Sequence, residues 1–234
     1  MTTLIVIAKA PVPGRVKTRL SPPFTLGTAA ALAEAALADT LESVRDAATE
    51  SPVLALDGTP GDWLPPGFTV VPQADGGLDV RIAAAFEAAA ERSAGPALLI
   101  GMDTPQLPRA VLEPSWEDID ALLGPACDGG YWALGFSDPD PETVRRAVIG
   151  VPMSRPDTGP AQLARLRATG LRTQLMPMMR DIDTAADAYA VARLCPGSRF
   201  AKLLDGLDSL DGLDGAPGQR GTHGRESADA AALR

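Results

Sequence analysis

Short, unbroken apolar runs alternate with longer stretches of helical periodicity, and this alternation constrains the fold more than any other feature of the chain. Thr3–Ala8 (TLIVIA), Val53–Leu56, Thr69–Val71 and Ala97–Ile100 read as buried strands. Between the first two, Leu26, Ala29, Leu32, Ala33, Ala36, Leu37, Leu41 and Val44 recur at three- and four-residue spacing. That spacing predicts a helix from Thr25 to about Ala48. A second helix is expected from about Leu78 to Ser93. Strands alternating with helices imply an α/β fold with a mostly parallel sheet covered on both faces. In such sheets ligands lie beyond the carboxyl ends of the strands.

Two strands end in polar segments interrupted by proline. The first runs into KAPVPGRVKTRLSPP, with four prolines and one glycine, and the fourth into GMDTPQLP, Gly101–Pro108. Beyond Pro108 the reading is a short helix over Ser115–Leu123, a strand over Tyr131–Phe136 and a helix over Pro141–Val148. A Pro/Gly-rich loop (Val151–Pro160), a helix to about Ala168, a strand near Leu171–Met176 and a helix after Asp183 follow. From about Asp205 the chain is rich in Gly and Asp, so residues 1–204 are expected to form one domain and 205–234 a disordered tail.

Composition removes several chemistries. The chain has 234 residues, 45% apolar and 22% charged, which suits a globular protein. No apolar run reaches the roughly 18–20 residues of a membrane helix, and the run before Lys9 is too short for a signal peptide. A cytoplasmic protein starting near Met1 is expected. Cys127 and Cys195 stand apart, outside any metal or redox spacing, and read as reduced thiols. The one histidine is His223, in the Gly-rich tail, which argues against a Ser-His-Asp triad, an HExxH zinc site and imidazole base catalysis. The net charge of −9 disfavours nucleic acid and anionic membrane as partners.

Against that acidic background, Lys9, Arg15, Lys17 and Arg19 are four cations within eleven residues, with no acid among the first twenty. Gly14 lets the backbone fold closely, and the following helix offers unpaired N–H groups, so the loop suits phosphates. The plainer reading is a solvated basic turn. Asp103, just past the fourth strand, can hold one Mg²⁺ whose other ligands are waters and substrate phosphates, or it can cap a turn. In GPACDGGYWALG, Asp128-Gly129 is a hairpin signal. Alternatively Gly129 and Gly130 admit a ligand close to the backbone, with Asp128 and Tyr131 in contact. Asp183-Thr184 reads as a helix N-cap, or Asp181 and Asp183 complete a metal site with Asp103.

Five segments, AKAPVPGRVKTRL, QADGGLDVRI, GMDTPQL, GPACDGGYWALG and DIDTAADA, follow one another between residues 4 and 195. In that order they resemble the nucleotide-diphospho-sugar transferase (GT-A) superfamily. Within it they are most similar to a bacterial glycosyltransferase-like family whose pattern is AKxPxPGxxKTRL, QxxGDLGxRM, GxDxPxL, GPxxDGGYxLIG and DxDTxxDL. VKTRLSP also resembles a loop of the 2-phospho-lactate guanylyltransferases and, more distantly, of the molybdenum-cofactor guanylyltransferases. The resemblance implies a three-layer α/β/α sandwich, a nucleotide under the first loop and a divalent metal, Mg²⁺ or Mn²⁺, at Asp103 with Asp183. It also implies that Gln73 and Arg81 line the pocket. Gly77 and Asp79 stand where the pattern has Asp and Gly, and PMSRPDTGP (Pro152–Pro160) replaces a Trp-containing segment expected to meet the acceptor.

The leading expectation is nucleotidyl transfer from an NTP to a small anionic acceptor. Lys9, Arg15, Lys17 and Arg19 would hold phosphates, Asp103 and Asp183 the metal, and Gly129, Gly130 and Tyr131 the substrate, with Lys17, Arg19, Asp103 and Asp128 carrying the chemistry. The alternative is a glycosyltransferase using an NDP-sugar, with Asp128 or Asp157 as base. A third reading is a nucleotide-binding module without catalysis.

Overall fold

A computed structural model describes residues 1–48 and 50–214. Its elements in chain order are β1 (Thr3–Lys9), α1 (Leu26–Ala47), β2 (Val53–Asp57), β3 (Thr69–Pro72), α2 (Leu78–Ala90), β4 (Ala97–Gly101) and α3 (Arg109–Leu112). There follow β5 (Ala121–Pro125), β6 (Tyr131–Phe136), α4 (Pro141–Val148), α5 (Thr158–Ala168), β7 (Thr173–Leu175), α6 (Ala185–Leu194) and α7 (Arg199–Asp214). The strands form one seven-stranded sheet in the order β3-β2-β1-β4-β6-β5-β7. Only β6 runs antiparallel to its neighbours, so the sheet is mostly parallel, as expected.

The pleat sorts the strand residues into two layers. Ile5, Val53, Ala55 and Leu99 pack with Ile82 and Phe86 of α2 and Val144 of α4 on one face. Leu4, Val6, Leu54, Leu98 and Ile100 pack with Leu37, Leu41 and Val44 of α1 on the other. Both faces are therefore covered, which explains why these strands read as continuous apolar runs rather than alternating ones. β1 lies between β2 and β4, and the connection through β3 and α2 crosses from one side of β1 to the other. The carboxyl ends of β1 and β4 thus flank a topological switch point, the crevice where such sheets place ligands.

Two sequence expectations are corrected. Ser115–Leu123 is not a helix: Ala121–Pro125 is strand β5, paired with β6 and β7, because Ala121, Leu122 and Leu123 are buried on both faces of the sheet. The domain does not stop at residue 204 either, since α7 continues to Asp214. Phe200, Ala201, Leu204 and Leu207 keep an apolar stripe at helical spacing that packs on α1 and α6. The rest of the expected tail, with His223, lies outside the described residues. Among the described residues, no helix is long and apolar enough to cross a membrane.

The first turn of α7 is held by a side chain from α1. Asp39 is buried, and its Oδ1 accepts from Arg199 N at 3.1 Å while Oδ2 accepts from Phe200 N at 2.9 Å. It does from a neighbouring helix what an N-cap does locally, satisfying amides that have no intrahelical partner. Asp39→Ala is expected to cost about 2–3 kcal/mol of unfolding free energy in urea titrations. A loss below about 0.5 kcal/mol would mean that apolar packing alone docks α7.

Candidate active site

The loop after β1 is shaped by which of its side chains face inward. Val16 and Leu20 are buried, Val16 beside Ala30 and Ala33 of α1 and Leu20 against the α1–α6–α7 cluster. Anchored at those two points, the loop leaves Arg15 and Arg19 outward. Gly14 takes φ +78°, the left-handed region that glycine occupies without cost. Lys17 takes φ 46° in the same region, where an L side chain is uncommon. Its side chain is only 10% exposed, and its ammonium lies 2.7 Å from Asp103 Oδ2 and 3.3 Å from Asp183 Oδ1. Burial works to lower its pKa, but Asp103, then Asp183 and Asp181, outweigh that and hold it above the ordinary lysine value. Arg19 Nη1 reaches Asp183 Oδ2 at 3.4 Å.

Asp103 and Asp183 are brought together by ties between their loops. Ile182 N donates to Asp103 O at 3.3 Å, and Gln106 Nε2 donates to Arg180 O. Thr184 caps α6 in a reciprocal pair with Asp187, so the helix begins immediately after Asp183 and the carboxylate stays at the sheet edge. The N-cap expected near Asp183 is thus the work of Thr184, which frees Asp183 for the site.

A second acidic grouping overlaps the first. One carboxylate oxygen each from Asp128, Asp181 and Asp183 lie within 4.8 Å of one another. Asp181 is pushed up to about 6 by burial, followed by repulsion from Asp128 and Asp183. Asp128 is fixed by its own turn, where its Oδ1 accepts from Gly130 N at 2.8 Å. Hard carboxylate oxygens crowded this closely, with one of them resisting ionisation, are the donor set that a divalent cation relieves. The residues present therefore fit a Mg²⁺ or Mn²⁺ ion, with Asp183 common to both groupings.

Gln73 and Arg81 stand on the other side of the loop. Gln73 Nε2 donates to Ala8 O at 2.7 Å and to Ala55 O at 3.0 Å, stapling the carboxyl ends of β1 and β2. Its Oε1 accepts from Arg81 Nη1 at 3.2 Å, and the same nitrogen lies 3.1 Å from Asp57 Oδ2. Arg15 Nη2 approaches Asp57 Oδ1 at 3.6 Å. Asp57, the last residue of β2, is a member of this network that the sequence reading missed. Its position at a strand's carboxyl end was the available signal. Asp79, in the altered part of the QADGGLDVRI segment, accepts from Gly150 N at 2.8 Å and so ties α2 to the start of the 151–160 loop.

The Asp128-Gly129 hairpin expected from the sequence joins β5 to β6. The idea that Gly129 admits a ligand is corrected. It takes φ +91°, and a Cβ there would stand 1.9 Å from Pro156 O. Gly159 N donates to Gly129 O at 2.8 Å, and a Cβ on Gly159 would meet Gly130 O at 2.6 Å. These glycines let the turn press against the 152–160 segment, backbone to backbone. Asp157, named as a possible base, is spent on a paired contact with Arg155 at 2.9 and 3.1 Å, well out in solvent.

Two adjoining chambers result. The larger, about 610 Å³, gathers Lys9, Arg15, Lys17, Arg19, Gln73, Arg81, Asp103 and Asp183 in its walls. The smaller, about 460 Å³, has Asp128, Gly130, Tyr131, Asp181 and Arg155 in its own walls. Arg19, Asp103, Asp183 and Ser154 belong to both. Of the site residues proposed from the sequence, Gly14, Gly129 and Asp157 line neither, and the roles of the two glycines are in the backbone.

Residues 29–155, more than half of the chain, match the family described as "Uncharacterized protein conserved in bacteria (DUF2064)". The chain belongs to this family. No curated protein matches it. Among solved structures, this DUF2064 chain is similar to a candidate nucleotide-diphospho-sugar transferase from Desulfovibrio desulfuricans G20. The two are 25% identical, with a TM-score of 0.78 over 91% of this chain and 97% of that one. It shares its fold with 2-C-methyl-D-erythritol 4-phosphate cytidylyltransferase from Thermus thermophilus, at 18% identity and TM-score 0.52 over 83% of this chain and 98% of that one. A CMP:2-keto-3-deoxy-manno-octonic acid synthetase complexed with CTP is 12% identical, with TM-score 0.51 over 82% and 97%. The α/β fold of the nucleotide-diphospho-sugar transferases, expected from five ordered motifs, is the fold of this DUF2064 chain.

Proposed function

We propose that this chain is a divalent-metal-dependent nucleotidyltransferase that moves a nucleotidyl group from an NTP to a small anionic acceptor. The observation that carries this reading is the larger chamber. Five cations, Lys9, Arg15, Lys17, Arg19 and Arg81, face it at the switch point of the sheet, and it opens onto Asp103 and Asp183. That density of positive charge suits a triphosphate better than a diphosphate.

An acceptor phosphate or carboxylate oxygen would attack the α-phosphorus. The new O–P bond forms as the bond from the α-phosphorus to the α–β bridging oxygen breaks, and its electron pair leaves with pyrophosphate. The acceptor is already ionised, so no proton has to be removed and the reaction requires no histidine. Arg15 and Arg19 are placed to neutralise the leaving phosphates. Lys17 is placed between them and the carboxylates, able to hold charge from either side. Asp103 and Asp183 are the residues proposed to hold the metal, which when bound would screen the α-phosphate oxygens. Gln73 and Asp57 orient Arg81 toward the nucleotide.

A glycosyl transfer from an NDP-sugar is the second reading, favoured by one observation. Asp181, raised to about 6, could take a proton from an acceptor hydroxyl near neutral pH. The name of the Desulfovibrio protein points the same way.

Thermal denaturation with NTPs and NDP-sugars, with and without Mg²⁺, separates the readings. At a hundred times its Kd, an NTP should stabilise the chain by about 2.7 kcal/mol, or roughly 5–10 °C for a domain of this size. That rise should require Mg²⁺ and be followed by pyrophosphate release once an acceptor is supplied. A preference for one NDP-sugar would replace nucleotidyl transfer by glycosyl transfer, and a chain stabilised by neither would overturn both.

A further inference from the structure

The smaller chamber combines an apolar lining with an ionic one. Its apolar lining is Ile82 and Leu99, both 2% exposed, with Met153 and Tyr131 packed in the same cluster, and Leu78. Leu78 is 41% exposed, a large apolar side chain left at the first position of α2, where the two chambers meet. Its ionic lining is Asp128, Asp181 and Asp183, with Arg19, 3.4 Å from Asp183, and Arg155, which pairs with Asp157. The Tyr131 hydroxyl belongs to a residue of this lining. It donates to Met153 Sδ at 3.7 Å, a weak acceptor that a ligand oxygen would readily displace. Burial pushes this phenol above its ordinary value, so it remains a neutral donor.

Resting on the nucleotidyl-transfer reading, we propose that the smaller chamber holds the acceptor and that the acceptor is an amphiphile. An apolar body, one aromatic ring or a short branched alkyl chain, lies against Leu78, Ile82, Leu99 and Met153. A single anionic head, a phosphate monoester or carboxylate, turns toward Arg155, which exchanges its contact with Asp157 for the head, and toward Arg19, which both chambers share, with an oxygen beside it accepting from Tyr131. A chamber of this volume is within the range that buries small organic ligands. A polyhydroxylated body does not suit it. Each hydroxyl against Ile82, Leu99 or Met153 would give up water without a replacement partner, at about tenfold in affinity. Nor does a second polyphosphate, because Arg19 and Arg155 are the only cations among the described residues of these walls.

The test is acceptor binding to the full chain, with Mg²⁺ and the NTP that stabilises it held at saturation. Isothermal titration compares phenyl phosphate and isobutyl phosphate with glycerol 3-phosphate and glucose 1-phosphate. A non-hydrolysable NTP analogue prevents turnover. The apolar esters should bind at least tenfold more tightly than the polar ones. Met153→Gln should bring the two classes within about threefold, and Tyr131→Phe should weaken the apolar esters about three- to tenfold without reversing the order. The thermal shift given by the NTP serves as the folding control for both variants. Equal or tighter binding of the polar esters overturns the proposal, as does a preference that survives Met153→Gln. Failure of all four esters while the NTP binds also overturns it and leaves the nucleotide site standing. Binding of the apolar esters to a chain that binds no NTP would uphold the chamber's chemistry and sink the nucleotidyl reading instead.

Discussion

Replacing Lys17 by Met is expected to cut turnover by about 10²–10³-fold while tightening Mg²⁺ binding, two effects of opposite sign from one substitution. The expectation follows from where the ammonium lies, 2.7 Å from Asp103 and 3.3 Å from Asp183. Those carboxylates are the proposed metal ligands, so Lys17 and a divalent cation compete for the same oxygens. Removing the ammonium leaves two facing carboxylates with Arg19 within reach, at 3.4 Å from Asp183. A cation entering then meets more negative charge and displaces nothing. Catalysis moves the other way. Once a metal holds the carboxylates, Lys17 is the buried donor free to turn to phosphate oxygens, and methionine cannot.

Mg²⁺ titrations followed by thermal shift, beside steady-state rates, would show both effects. Lower turnover with weaker metal binding would instead mean that Lys17 organises the site and does not compete within it. Lys17→Arg is the sharper control. Arginine keeps the charge, but its planar fork does not fit a bridge formed by a single ammonium, and the left-handed backbone at this position leaves little room to adjust. It should recover less than a tenth of the lost rate.

The parts of this site that were legible in the sequence share a physical cause. β1 and β4 are covered on both faces, so they appear as unbroken apolar runs, and the polar segments that end them stand out by contrast. That contrast alone is enough to put Lys9–Arg19 and Asp103 at one sheet edge. β5 failed the same test. Ala121–Leu123 is three apolar residues after the mixed stretch SWEDID, too short to carry a period of either kind, and its strand character comes from pairing with β6 and β7. Gln73 lies in the wall of the larger chamber, and its amide is engaged by the carbonyls of Ala8 and Ala55, which no spacing announces. The Gly129-Gly130 pair shows the same limit. A glycine required by a ligand and one required by Pro156 look alike in a sequence.

Asp183→Asn is expected to weaken Mg²⁺ binding by at least 100-fold, against about tenfold for Asp128→Asn. Asp183 is the one carboxylate shared by the two acidic groupings, bridged to Asp103 through Lys17 on one side and within 4.8 Å of Asp128 and Asp181 on the other. An asparagine there removes a charge from whichever set holds the ion. Asp128 is exposed, and one of its oxygens is committed to Gly130 N, so it has less to contribute.

Asp103→Asn distinguishes the two arrangements. A loss comparable to that of Asp183→Asn assigns the ion to the Asp103–Asp183 pair. A loss below about threefold moves it to Asp128, Asp181 and Asp183 and overturns the proposed ligand pair. Stability without metal supplies an independent check on the second set. Asp181 has a folded-state pKa raised from 3.8 to about 6, so its ionisation costs the folded chain more than the unfolded one, and the cost develops as pH rises from about 4 to 6. Asp181→Asn should therefore melt higher than the parent at pH 8 and level with it below pH 4. Saturating Mg²⁺ should erase that advantage at pH 8 if Asp181 faces the ion, and leave it intact if the ion lies with Asp103.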